Sequence, residues 1–502
     1  MLEITLFDYI KENLDTEGVF QTNFLPDKLE DANTSPLGTL DAFSYSVDTE
    51  VDTEAGEAVA KLLQYYGTHP GLEARRRLTD QLNNSRLASL ADSFLENFTT
   101  ENLTEEHLDL AEDYFYHSTT REPIKFAYLI FGLYGMENIK EDNPELWQDL
   151  LTVAHCEEFT FHFIYACRIT NFLPQEELWQ LLFTTTGWGR VYAINSIECT
   201  TPEQRQWLLE KGVTMDVEYP PLAVRMLEQT KLSEVLKAEQ LSPASYRGAV
   251  SIVNRFFMLL VQFEPAVINQ NFNTSSIDLY QIVKDLLRHA QAYAQNPSDV
   301  SDLVFLGYHL RSLIQAENWF KLSHNQCQEL QAQCDSLIFS QNWAEILPQQ
   351  LFDAEGKLNY DNCQLAYNLE IDCWEQLLPY FYENPTDTQL LGWLLMTNSS
   401  KYAPQIIKFI EEHLSLYINQ PSLLELPMRY LFKHPGQGVS IITTSLLSVF
   451  ELTRTVACAT LEIWGSKYWT PEIISALHTA AGLSTNPEAR AYIEQLLEKQ
   501  GA

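Results

Sequence analysis

The sequence predicts an all-α protein built of stacked helix pairs, with a small N-terminal region that has room for one short β-hairpin. Three observations predict it. A Pro-then-Leu/Trp signature recurs as Pro144-Glu-Leu-Trp147, Pro174-Gln-Glu-Glu-Leu-Trp179 and Pro202-Glu-Gln-Arg-Gln-Trp207. The tryptophans stand 32 and then 28 residues apart, the length of two short helices and two turns. From Ala55 onward helix-period apolar patterns follow one another almost without a break, while strand-like alternation is confined to the stretch around Phe43, Tyr45 and Val47.

Each proline suits the first turn of a helix, where its missing N–H is not needed and its fixed φ is already helical. Acidic residues follow at once (Glu145; Glu176 and Glu177; Glu203), where the positive end of the helix dipole favours them. In the first unit Leu146, Trp147, Leu150, Leu151 and Ala154 then form one stripe, and Leu178, Trp179, Leu181 and Leu182 repeat it in the second. A second apolar helix follows each: Phe159, Phe163, Ala166 and Cys167; then Ala193, Ile194 and Ile197; then Leu222, Met226 and Leu227. One such pair cannot cover both of its apolar faces alone, so stacking is the simplest solution. The three tryptophans are expected at equivalent, at least partly buried positions.

Between the helices of the second unit lies Thr186-Gly-Trp-Gly-Arg190, whose glycines supply either a turn of positive φ or a close approach of two backbones. The run from there through Trp207-Leu-Leu to Glu218-Tyr219 resembles a stretch shared by uncharacterised bacterial proteins with HEAT-like repeats, some labelled limonene hydroxylase. The resemblance covers roughly residues 120 to 230. It implies a HEAT/armadillo-like α–α superhelix, a right-handed solenoid. The label carried by some of those proteins would imply an oxygen-activating cofactor.

At 502 residues the chain has ample material for a core, and 45% hydrophobic content excludes general disorder. With 32 basic against 68 acidic residues, the net charge of −36 argues against nucleic acid, which needs Lys and Arg to displace counterions. It argues equally against anionic membranes. The first ten residues lack the basic and long apolar segments of a signal peptide, and the apolar runs Phe126–Tyr134 and Phe256–Val261 are too short to span a bilayer. Eight scattered cysteines read as reduced core thiols, and a cytoplasmic protein is expected.

Three regions are expected along the chain: an acidic N-terminal region over 1–54, HEAT-like repeats over 55–268 and a C-terminal helical-repeat half over 277–502. The polar segment Asn269–Ser276 is the expected joint, with a second break near Pro348–Asn359. The tandem Val47-Asp-Thr-Glu-Val51-Asp-Thr-Glu54 reads as a solvated, helix-capping stretch and lacks the spacing of a calcium loop. Helices are expected over Thr104–Tyr116, Ile277–Tyr293, Pro404–Tyr417 and Pro487–Leu497.

Candidate chemistry is sparse. In His155-Cys-Glu-Glu158-Phe-Thr-Phe-His162 a continuous helix would bring His155, Glu158 and His162 onto one face, but the repeat register puts a turn there, and no Glu-x-x-His pair exists. His324, Cys327 and Cys334 lack a fourth zinc ligand. Gly187-Trp-Gly189 and Gly436-Gln-Gly438 lack the third glycine of a dinucleotide loop. The run Arg75–Arg77 reads as solvated surface. The sequence therefore assigns no catalytic, cofactor-binding or metal residue. The expected function is a non-catalytic scaffold that binds a protein or peptide with a basic segment along an acidic concave surface. The alternative is a metal-dependent oxygenase with an unrecognised site.

Overall fold

A computed structural model describes residues 4–27, 36–44, 51–275, 277–316, 320–396, 400–484 and 487–499. The protein is all-α. Among the described residues the only strand-like pairings are two isolated antiparallel bridges, Leu14 with Phe20 and Phe352 with Leu358. The chain divides into two compact units, residues 1–293 with 306–334 and residues 294–305 with 335–502. The polar segment 269–276 lies inside the first.

The first unit begins with α1 (Leu6–Glu12), α2 (Thr39–Ser44), α3 (Thr53–Thr68), α4 (Leu72–Asn83), α5 (Leu87–Asn97) and α6 (Glu105–His117). Next come α7 (Arg121–Tyr134), α8 (Met136–Asp142), α9 (Pro144–Ala154), α10 (Glu157–Ile169), α11 (Gln175–Thr184) and α12 (Trp188–Ile194). They continue as α13 (Pro202–Trp207), α14 (Leu222–Thr230), α15 (Leu232–Val235), α16 (Pro243–Gln262), α17 (Pro265–Asn271) and α18 (Leu279–Ala290). Phe43, expected on a hairpin strand, lies on α2 instead, and Tyr45 and Val47 fall outside the described residues. A helix forms there because Gly38, at φ +81°, turns the chain into it and Asp41 in its first turn is gripped by Lys125 and His162.

The helices from α7 to α18 alternate between two layers. α7, α10, α12, α14, α16 and α18 each pack on the next, while α9, α11 and α13 pack beside α10, α12 and α14. Local signals set the boundaries. Asn143 accepts from the Leu146 amide ahead of Pro144, and Thr201 accepts from the Gln204 amide ahead of Pro202. Pro174 stands one place earlier than expected, as the cap of α11 rather than its first residue. Trp147 and Trp179 are buried and Trp207 is half-buried. The Trp179 and Trp207 rings meet edge to face at 6.0 Å, joining consecutive units.

Within the first unit guanidinium groups also tie successive helix pairs together. Arg225 donates to the Ile197 carbonyl at 2.7 Å, Arg255 to Val213 at 2.7 Å and Arg288 to Leu236 at 2.7 Å. Each target lies at or just beyond the end of an earlier helix or helical turn, where carbonyls lack helical partners. Arg190 does the same for Thr214 at 2.5 Å.

In the second unit the same alternation holds. Thr388–Met396, Pro421–Leu431, Glu451–Trp464 and Pro487–Lys499 pack in series, as do Ala403–Glu412, Val439–Leu446 and Pro471–Leu483. Trp464 crosses one step of the first series, its indole N–H donating to the Leu431 carbonyl at 2.7 Å. All eight cysteines are buried thiols. Among the described residues no single helix is long and apolar enough to cross a membrane; α16 and α17 qualify only as a pair, bent by 118°.

Trp147 is 2% exposed, packs on Phe163 and Phe172, and donates to Glu177 Oε1 at 3.2 Å. Trp147→Ala should therefore destabilise the protein by about 3–5 kcal/mol in chemical denaturation. Trp207→Ala, at a half-buried site, should lose only about 1–2 kcal/mol. Equal losses at the two positions would contradict the difference in burial between them.

Candidate functional site

α7 opens Arg121-Glu-Pro-Ile-Lys125 and continues as an almost unbroken apolar run. Its three charged residues enter the core with it: Arg121 is 1% exposed, Glu122 5% and Lys125 1%. Burying a charge without a partner costs several kcal/mol, so counter-charges must converge on this helix. α10 supplies Glu158 and His162, one turn apart on the same face. The N-terminal segment supplies Asp27 and Asp41.

The resulting network is closely packed. Arg121 holds Asp27 with two parallel bonds, 2.5 Å from Nε to Oδ2 and 2.6 Å from Nη2 to Oδ1, and its Nη1 lies 3.1 Å from Glu158 Oε1. Lys125 Nζ sits 2.7 Å from Glu158 Oε1, 2.9 Å from Asp41 Oδ2 and 3.0 Å from Glu122 Oε1. His162 Nε2 approaches Asp41 Oδ2 at 2.9 Å. Two backbone amides from other segments complete the set, Gly38 donating to Glu158 at 2.9 Å and Leu87 to Glu122 at 2.8 Å.

Two permanent cations thus face four carboxyl groups, and the groups divide the charge unequally. Burial alone would raise the Asp41 carboxyl, but Lys125 and His162 overcome it and hold it well below the ordinary carboxylate range. Burial likewise opposes ionisation of Glu158, and Lys125 and Arg121 reverse that. At Glu122 burial prevails over Lys125, and its carboxyl is raised. Burial would strip the proton from Lys125, but the surrounding carboxylates hold it there. The network is sealed from solvent. Its chemistry is that of a lock between the N-terminal segment, α7 and α10.

Beside this lock lies a cavity of about 510 Å³. It is framed by the N-terminal segment (Val19–Asn23, Pro36, Leu37) and by the turns that follow α9 and α11. Glu157, next to Glu158 in sequence, serves the cavity rather than the lock. Its Oε1 accepts from the Thr186 and Gly187 amides, both at 2.7 Å. A Cβ at Gly187 would collide with that carboxylate, so close approach, not positive φ, requires the glycine. His155 Nδ1 meets Thr184 Oγ1 at 2.6 Å. The Thr184 hydroxyl also lies 3.0 Å from the Gln180 carbonyl. Burial pushes the His155 pKa down to about 4, so the ring is neutral near pH 7.

The turn expected inside His155–His162 is present: α9 ends at Ala154 and α10 begins at Glu157. His155 is thereby directed to the cavity, and Glu158 and His162 to the lock. Among the described residues no group of three or more His, Cys, Asp and Glu side chains is arranged to hold a metal ion. Asp52 caps α3, and Arg75, Arg76 and Arg77 make surface ion pairs with Asp113 and Glu73. Sequence reasoning missed Asp27, Asp41, Arg121, Glu122 and Lys125. The available signal was Arg121 and Lys125 at i, i+4 heading an otherwise apolar helix. The chain matches no family model, no curated protein and no solved structure.

Lys125→Met would leave Asp41, Glu122 and Glu158 buried without their shared cation, and should destabilise by about 3–5 kcal/mol at pH 7. Without the ammonium, burial raises these carboxyls above their unfolded values, so the folded variant binds more protons than the unfolded chain. Its deficit relative to the parent should therefore shrink as pH falls from about 7 toward 5, readable in denaturant midpoints across that range. A deficit that is constant or grows on acidification would contradict the charge assignment.

Proposed function

We propose that this chain is a non-catalytic, HEAT-like helical-repeat scaffold, a right-handed α–α superhelix, that binds a protein or peptide carrying a basic segment along an acidic surface. The alternation of consecutive helices between two layers supports the superhelix, because stacked pairs generate long continuous faces. The likeness of Thr186–Tyr219 to bacterial HEAT-like proteins supports the same reading. Eight buried thiols suit a reducing compartment such as the cytoplasm.

One observation carries the choice of partner. The net charge is −36, from 68 acidic against 32 basic residues. Arg121 and Lys125 are locked in the core, and Arg190, Arg255, Arg288 and Arg454 donate to backbone carbonyls. The buried carboxylates Asp27, Asp41, Glu122, Glu158, Glu177 and Asp299 offset the buried cations, so the surface keeps the one-sided charge of the composition, and such a field attracts and steers a cationic partner.

Binding of a decalysine peptide to the full chain tests this by titration against sodium chloride. Exposed charge pairs are screened over about 8 Å at physiological salt, so affinity should fall severalfold between about 50 and about 300 mM. A decaglutamate peptide should not bind. Decalysine affinity that stays level or rises with salt would overturn the proposal.

A further inference from the structure

The geometry points to the cavity beside the ion lock as a binding site for an ammonium or guanidinium group carried on an apolar stem. That is the chemistry of a lysine or arginine side chain, and equally of a free aliphatic amine. The inference rests on the reading of the chain as a receptor for basic segments and names the place where one cation is taken up.

The lining decides the chemistry. Val19, Phe20, Leu37 and Val217 supply apolar wall, suited to a methylene stem. The charged lining residues are Glu157 and Asp216, and among the described residues no lysine or arginine lines the cavity. Glu157 spends Oε1 on two amides, which fixes its orientation and leaves Oε2 as a further acceptor. Asp216 is exposed, and its backbone is pinned by donation from its amide to the Thr186 carbonyl at 2.8 Å. His155 adds a ring that burial keeps neutral.

Arg190 feels both carboxylates, but it is buried and donates to the Thr214 carbonyl. Among the described residues the charged lining is therefore two carboxylates and no cation, which makes it negative. An anionic ligand would meet repulsion there, whereas a cationic head with an apolar stem satisfies both kinds of wall. A volume of about 510 Å³ falls within the span of roughly 300–1,000 Å³ typical of ligand sites.

Calorimetry on the full chain tests the assignment with a capped Ala-Lys-Ala peptide, its Nε-acetyl form and butylammonium. The lysine peptide should bind at least about tenfold more tightly than the acetylated one, because acetylation removes the charge and keeps the stem. Asp216→Asn should weaken binding by about three- to tenfold. Glu157→Gln, which keeps an acceptor for the two amides, should weaken it by about tenfold, with both variants melting as the parent does. Butylammonium binding as well as the peptide would identify a free amine as the source, and binding of the peptide alone a partner's side chain; either supports the site. Equal binding of the charged and acetylated peptides, or unchanged binding in both variants, would overturn it. Salt-sensitive decalysine binding that both substitutions leave unchanged would remove this site and leave the scaffold reading intact. Butylammonium binding by a chain that ignores decalysine would uphold the site and remove the scaffold reading.

Discussion

The ammonium of Lys125 is the point on which the first unit depends. It enters the core on α7, a helix that is otherwise almost wholly apolar, and is held there by carboxylates from its own helix, from α10 and from α2. Arg121, one turn earlier, extends the same lock to Asp27. Together the two cations fasten residues that lie 94 and 84 positions earlier in the chain, Asp27 and Asp41, onto α7. That fastening places Val19–Asn23, Pro36 and Leu37 over the turns after α9 and α11, and so completes the cavity.

Such a lock does more for specificity than for stability. A hydrophobic segment of similar volume could cover α7 and α10 with comparable free energy, because the desolvation of buried charges offsets most of their attraction. An apolar contact, however, tolerates a slide of one turn, and a bidentate Arg121–Asp27 pair does not. Further anchors act in the same sense. Phe7 of α1 packs against Phe115 and Tyr116, and the indole N–H of Trp188 donates to Thr39 at 3.1 Å. The N-terminal segment is thus held in one register along its described length.

This division explains what the sequence made legible. The proline-headed helices, the buried Trp147 and Trp179 and the turn after Ala154 all follow from local rules, namely helix period, capping and dipole. The lock does not, because its partners lie 94 and 121 residues apart in the Arg121–Asp27 and His162–Asp41 pairs. A lone Asp27 or Asp41 in an acidic region reads as solvated surface until α7 is folded beneath it. Alternation at Phe43, Tyr45 and Val47 is too short to decide between periods, and Phe43, the one of the three among the described residues, lies on α2. Pro174 shows the limit of local signals from another side, since a proline serves nearly as well at the cap as one place later.

The lock takes four carboxylates and two cations out of solvent, and other carboxylates face solvent and the cavity. Glu157 and Glu158 express this in adjacent residues, one turned to the open site and the other to the sealed lock. Native-state amide hydrogen exchange tests the central claim most directly. The amides of Gly38 and Leu87, which donate to carboxylates of the lock, should open only with global unfolding and exchange at matching, strongly protected rates. Exchange of Gly38 at the rate of an unstructured peptide, while α7 stays protected, would show that the N-terminal segment is not locked and would contradict the account.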